Sequence, residues 1–269
     1  MKILDLSREE LASFVAWFNK FYGHYPVIIG GWAVYYYNNY LMSKDVDVVF
    51  EARLKTYDTA LLQYLASNGY SLYNKEKWGI AKTFRKTARI NGDEYFIDID
   101  ACSIYDSNIY HRNNKLHLPY SLVSKSSVLV KDSHGEKRTD YRVPTIELLF
   151  LFKLKAYSDR DFDLQSATSS EDISYLTSKR NKDGSDVLAL LDSEHCKEKV
   201  DYAALAKLAK SLNLLEETVS TLRQIIDNDA SKKAYPKIPP HEATKLLEMA
   251  VRNISDEAHF DISTHLEVK

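Results

Sequence analysis

The sequence predicts an α/β (α+β) chain in two parts, an α/β region over residues 1–144 and a helical region over 145–269. Three observations carry this. Short apolar runs of period two alternate with helical stretches in the first part. Pro144-Thr145 then opens "IELLFLFKLKAYSDR", a stretch with a strongly apolar helical face. After it, apolar residues recur at helical spacing to the end of the pattern.

Taken in order, Ser7 and Glu10 have the spacing of a capping box, with Leu6 and Leu11 placed as a hydrophobic staple. Leu11, Phe14, Val15, Phe18 and Phe21 make one helical face, which Gly23 ends. "YPVII" (25–29) reads as a buried strand, broken by Gly30 and Gly31. "WAVYYYNNYL" (32–41) reads as a helix and "DVDVVFE" (45–51) as a strand. A helix follows over 54–68, ending at Asn68-Gly69. "WGIAKTFRKTARI" and "EYFIDIDACSIY" are two strands joined across Asn91-Gly92, a hairpin signal. Beyond Thr145, helices are expected over 171–179, 183–193, 201–210, 213–229 and 241–254, with a Pro-punctuated linker in "KKAYPKIPP". "DFDLQSATSSEDISYL" reads as an insertion with a small helix of its own.

An apolar fraction of 45% supports a proper core, and 28% charged residues suits a globular chain. No apolar run approaches the length of about 18 residues that a membrane span needs, so a membrane partner is not expected. Acidic residues come too early in "MKILDLSREELASF" for a signal peptide, and a cytoplasmic location is expected. Cys102 and Cys196 lie far apart and read as reduced thiols. A net charge of −2 gives no global argument for a nucleic-acid partner but leaves room for a local basic patch. The eight histidines show no metal-ligand spacing and receive no role.

The pattern strand, Gly-Gly, helix, Asp-x-Asp has a physical logic. Gly30 and Gly31 let the backbone approach a phosphate, and a helix starting there points free N–H groups at it. Asp45 and Asp47 lie two residues apart in a strand and share a face. Paired carboxylates repel unless a cation sits between them, and oxygen donors at this spacing suit Mg²⁺ or Mn²⁺ bound together with a nucleoside triphosphate. A third carboxylate is expected from "EYFIDIDAC", where Asp98 and Asp100 share the face opposite Ile97 and Ile99. The residues do not choose between them.

In the helical part, Lys153 and Arg160 are two turns apart on one helix face, and Asp183 and Asp186 share a face in the i, i+3 manner. The cations fit triphosphate oxygens or an interhelical salt-bridge cluster, and one carboxylate could orient an acceptor hydroxyl. Lys155 projects about 200° from Lys153 around the helix and is expected to matter little. "KEKWGIAKTFRKTARI" holds Lys75, Lys77, Lys82, Arg85, Lys86 and Arg89, a solvated edge or a nucleic-acid contact.

"GGWAV" followed by "SKDVDVV" resembles the signature of the polymerase-β-like nucleotidyltransferase superfamily. "LFKLKAYSDR" followed by "KRNKDGSDVLAL" resembles its AbiEii-type branch, which includes toxins of toxin–antitoxin systems. Lys153, Leu154, Ala156 and Arg160 match the first of these helices, and Lys182, Asp183 and Asp186 the second. Ser43 and Lys44 stand where the family has Arg or Lys and Thr or Ser. The resemblance implies a mixed sheet, followed by a helical bundle that completes the nucleotide site. It implies transfer of a nucleoside monophosphate from an NTP to a hydroxyl, with RNA, tRNA included, as acceptor and an antitoxin protein as partner. In that scheme Gly30, Gly31 and Ser43 approach the phosphates, and Asp45, Asp47 and one of Asp98 and Asp100 hold the metal. Lys153 and Arg160 bind the triphosphate, and Asp183 or Asp186 positions it or the acceptor. The alternatives are an antibiotic-type, small-molecule nucleotidyltransferase and a binding module whose site has degenerated.

Overall fold

In the computed structural model, helix α1 (Ile3–Tyr22) begins earlier than the Ser7 cap would place it. The Lys2 N–H donates to the Asp5 carboxylate at 3.0 Å and closes the first turn instead. Ser7 is therefore internal and fully buried. Leu11, Phe14, Val15 and Phe18 face inward as expected, but Phe21 is 53% exposed and stacks on Trp17 at the surface. The structure describes residues 2–51, 59–73, 82–111, 113–134 and 137–266, without the side chains of 132–138 and 259–266. Lys75 and Lys77, and the expected starts of a helix at 54 and a strand at 78, lie outside the described residues.

The chain divides into two compact units, each described by itself. The sheet unit comprises 1–36, 41–108 and 119–145. Its strands are β1 (Val27–Ile29), β2 (Val46–Phe50), β3 (Ser71–Tyr73), β4 (Lys82–Ile90), β5 (Asp93–Ser103), β8 (Ser127–His134) and β9 (Lys137–Pro144). They form one mixed sheet in the order β3-β4-β5-β2-β1-β9-β8. Pairs β2–β5 and β1–β9 are parallel, and the other neighbours are antiparallel. The hairpin joining β4 to β5 turns at Asn91 and Gly92, both with positive φ, as the Asn-Gly signal requires. One face of β2 and β5, bearing Val46, Val48, Ile97 and Ile99, is buried. Phe14 and Phe18 of α1 pack their rings on Phe50, and Trp17 stacks on Tyr64 of α3 (Thr59–Ser67) at 4.3 Å.

Helix α2 is shorter than expected, running Gly30–Tyr37. The next residues belong to the helical unit, which comprises 37–40, 109–118 and 146–269. Asn38 donates its side-chain N–H groups to the Ala189 carbonyl and the Tyr235 hydroxyl, each at 2.8 Å. These bonds capture the chain where the helix would otherwise continue. The same unit holds most of the two-stranded sheet β6 (Ser107–Tyr110) and β7 (Asn113–Pro119). A 3₁₀ turn over Tyr120–Ser124 follows in the sheet unit.

The helical unit is built on α4 (Ile146–Ser166) and α5 (Ser170–Leu191). These are two long antiparallel helices where the sequence suggested shorter ones and an insertion. Ser169 caps α5 by accepting from the Asp172 N–H at 3.0 Å. The supposed insertion only lengthens both helices at their shared end. The expected break before residue 183 does not occur. The polar run there is helical, and Gly184 lets α5 pass close to α8 (Asp229–Ala234), since a Cβ on it would lie 2.4 Å from Ser231 Oγ. Helices α6 (Tyr202–Ser211), α7 (Leu215–Ile226) and α9 (Pro240–Leu266) complete the unit.

In an exposed helix Gly→Ala stabilises by about 1 kcal/mol. Here Gly184→Ala is expected to lower the melting temperature, because Ser231 cannot give way within the buried α5–α8 contact. A thermal melt checks this, and Gly184→Ala with Ser231→Gly should recover part of the loss.

Candidate active site

In the sheet unit, the site is set by strand register. Strands β2 and β5 pair so that Asp47 lies beside Asp100. Residues paired across neighbouring strands project to the same face, about 5 Å apart. Period-two alternation had left Asp98 and Asp100 equivalent. Register distinguishes them, because Asp100 is the partner of Asp47 and Asp98 is the partner of Arg85 on β4. Both Asp98 oxygens accept from the Arg85 guanidinium, at 2.8 Å each. Asp100 accepts from the Thr83 hydroxyl, a neighbour that sequence reasoning did not single out. Asp47 and Asp100 are both partly exposed, unlike the flanking Val46, Val48, Ile99 and Ala101.

Gly30 has φ +69, and a Cβ there would fall 1.9 Å from Asp47 Oδ2. Both the backbone conformation and the space exclude a side chain. The first glycine therefore brings the start of α2 against the carboxylate of the next strand. Gly31 is buried in the first turn of that helix. Asp45 lies just ahead of β2 and is partly exposed, while Ser43 is 8% exposed. The loop there is held by Ser7, whose hydroxyl donates to the Lys44 carbonyl at 2.8 Å.

Whether a divalent cation suits these residues can be judged from the donors. Asp47 and Asp100 present hard oxygens at adjacent positions. Mg²⁺ commonly takes one or two carboxylates and completes its shell with water and substrate phosphates. Among the described residues no group of three or more His, Cys, Asp or Glu side chains is arranged to hold an ion by itself. The carboxylate pair fits an ion shared with phosphates better than a cage made wholly of protein.

In the helical unit, Lys153 lies 13 residues before the end of α4 (166 − 153) and Asp183 lies 13 after the start of α5 (183 − 170). The antiparallel pair thus brings them to the same level. Lys153 Nζ is 3.5 Å from Asp183 Oδ1 and 2.6 Å from Asp186 Oδ2. Lys182 reaches the same Asp186 oxygen at 2.8 Å, and the Tyr40 hydroxyl donates to the other. Lys182 was matched to the second motif without a role, and its i, i+4 spacing from Asp186 supplies one, whereas Tyr40 was not expected and nothing local signals it. Burial alone would raise the Asp186 pKa, yet Lys153 and Lys182 override it and hold the carboxyl at about 2. Burial, and then the Asp186 charge, push the Tyr40 phenol far above its usual range.

Arg160 reaches Asp163, one turn further along α4, at 3.9 Å. Lys155, on the other side of α4, is also enclosed. Lys155 is 2% exposed, pairs with Asp159 and lies 5.2 Å from the Tyr110 ring centre. Burial lowers its pKa, opposed by Asp159. Helix α4 is enclosed on both of these sides, so a 200° separation does not send either lysine to solvent. Cys102 and Cys196 are free thiols, and burial raises the pKa of both. Among the described residues no helix is long and apolar enough to cross a membrane.

No family model and no curated protein matches the chain. Among solved structures, the crystal structure of JHP933 from Helicobacter pylori is similar to it at 13% identity and a TM-score of 0.41. That match covers 98% of this chain and 97% of the other.

The Asp186 pKa sets a pH dependence. A carboxyl depressed in the folded state stabilises fully above its unfolded pKa of 3.8, and the contribution disappears as pH falls through about 2. The shift is worth about 2 kcal/mol. Denaturant unfolding of the wild type between pH 5 and 2 should show that loss. Asp186→Asn should lack it, and should lose roughly 3–5 kcal/mol near neutral pH by stranding two lysines.

Proposed function

We propose that the chain is a metal-dependent nucleotidyltransferase that moves a nucleoside monophosphate from an NTP to an acceptor hydroxyl and releases pyrophosphate. The observation that carries this reading is the in-register pair Asp47 and Asp100, with the positive-φ Gly30 packed against Asp47 at the start of α2. Two partly exposed carboxylates side by side repel, and a cation between them relieves the repulsion. A helix beginning beside them offers N–H groups to a phosphate. Asp47 and Asp100 would hold Mg²⁺ or Mn²⁺, with Asp45 as a further oxygen donor. The ion would neutralise phosphate charge and ease ionisation of the attacking hydroxyl.

The chain's own residues hold this arrangement. Thr83 fixes the orientation of Asp100 by donating to it. Ser7 fixes the loop ahead of Asp45. Asp98 neutralises Arg85, which keeps that cation from collapsing onto the metal carboxylates. In the helical unit, the resemblance assigns Lys153 to the triphosphate. Its pairing with Asp186 and Asp183 supports a positioning role for the carboxylates. Lys182, with 28% of its side chain exposed, is the more accessible cation of the pair. An RNA acceptor, tRNA included, a toxin role and an antitoxin partner are proposed on the resemblance alone.

The test is incubation with each labelled nucleoside triphosphate, Mg²⁺ and total RNA, followed by a search for labelled product. Asp47→Asn and Asp100→Asn are each expected to reduce transfer by roughly a hundredfold or more while leaving the fold intact. Asp98→Asn is expected to retain most of the activity. Full activity in a folded Asp47→Asn protein would refute the metal assignment.

A further inference from the structure

The sheet face that carries Asp47 and Asp100 continues across three more positions of unusual composition. In one row of the sheet, Asp47 pairs with Asp100, Asp100 with Thr83, and Thr83 with Tyr73. In the next row along β4, Arg85 pairs with Asp98 on β5 and with Ser71 on β3. The Arg85 guanidinium lies 3.8 Å from the Tyr73 ring centre and 4.6 Å from that of Phe96. Both oxygens of Asp98 hold it in a forked geometry. Yet Tyr73 is 42% exposed and Phe96 44% exposed. Large aromatic side chains usually bury their area, so two of them standing open on either side of an oriented guanidinium need a reason.

From this geometry we infer that Tyr73, Arg85 and Phe96 form a stacking platform for unpaired bases of a single-stranded nucleic acid. Aromatic faces and guanidinium planes are the groups on which unpaired bases stack, with little sequence preference. Asp98 neutralises Arg85 only at its edge, leaving a π-rich surface, and further along the same strand face Arg89 pairs with Glu94 while keeping 80% of its side chain exposed. Position fits the chemistry. Tyr73 stands two strands from Asp100, about 10 Å at the usual strand spacing. That is about three stacked bases at 3.4 Å each. A strand lying on the platform would therefore bring a terminal hydroxyl within reach of the carboxylate pair. This inference rests on the nucleotidyltransferase reading for its meaning, since it names the acceptor as an unpaired nucleic-acid end. The platform itself rests only on the rings.

The test uses the full chain without nucleotide or Mg²⁺, so that binding is read apart from catalysis. A fluorescein-labelled single strand of about twelve nucleotides, within the usual range of site sizes, is titrated as RNA and as DNA, and again as a duplex. The wild type should bind the single strand more tightly than the duplex. Tyr73→Ala and Phe96→Ala should each weaken single-strand binding roughly tenfold, as loss of one base stack does. Both should melt like the wild type, because both rings are open to solvent, and Tyr73→Trp should keep binding. A preference for RNA or for DNA supports the platform equally and reports on the 2′-hydroxyl. The inference is overturned if the wild type binds no single strand, or if it binds single strand and duplex alike. It also fails if the folded double alanine variant binds as the wild type does. Ring-dependent binding in a protein that shows no metal-dependent NTP affinity would leave the platform standing and remove the proposed reaction.

Discussion

The arrangement of the sheet unit's carboxylates follows from one register, the parallel pairing of β2 with β5. Side chains alternate with period two, so a slip of one residue would turn Asp47 towards α1 and α3 and expose Val46 or Val48. The apolar partners on the opposite face, fully buried, hold that register. The cost of facing two carboxylates is thus met by the core behind them. Gly30 adds a second lock. The space a Cβ would take is filled by the Asp47 carboxylate, so a side chain at position 30 would displace it. What remains is a pair of hard anions held by rigid strands, which is the form of preorganisation that ion binding and transition-state stabilisation exploit.

The helical unit solves a related problem by a different route. Asp186 is buried, so it must be paired, and it receives two lysines and a phenol. Three segments converge on it: α4 through Lys153, α5 through Lys182 and the 37–40 segment through Tyr40. A second polar centre lies nearby in the same unit. Asp192 accepts from Tyr235 at 2.6 Å, and Tyr235 in turn accepts from Asn38. Burial would raise Asp192, but these hydrogen bonds and His195 keep it lowered. The helices are fixed as much by these charged contacts as by their apolar faces.

Which parts of this were legible depended on how local the deciding interaction is. The Asn91-Gly92 hairpin was legible because two residues set the turn. The Gly-Gly break and the face of Asp47 were legible from spacing, whereas Asp45 lies ahead of β2 and outside the alternation expected to give both carboxylates one face. Which of Asp98 and Asp100 lies beside Asp47 was not legible, since it depends on which strand lies on each side of β5 and in what register, and that is a property of topology. The continuous α5 was misread because "KRNKDG" looks like a loop. In the fold those polar groups have partners, as when Asn228 donates to Asn181 and Lys182 reaches Asp186. The burial of Lys155 was missed for the same reason, because Tyr110 covers it from a strand far away in sequence. The apparent insertion misled because equal extension of two antiparallel helices leaves every pairing below it unchanged.

The segment 37–40 carries a consequence for how the chain comes to be folded. Asn38 bonds Tyr235 at a sequence separation of 197 and Ala189 at one of 151. Contacts of such sequence separation must wait for loop closure, and they slow folding. During synthesis the sheet strands of residues 1–145 are complete before any of α5 to α9 exists. Asn38 and Tyr40 must then remain solvated until the last helices arrive. The emerging chain would therefore hold its Gly-Gly and Asp-x-Asp elements joined by an unsettled tether. The segment between Gly31 and Asp45 would be among the last pieces to set.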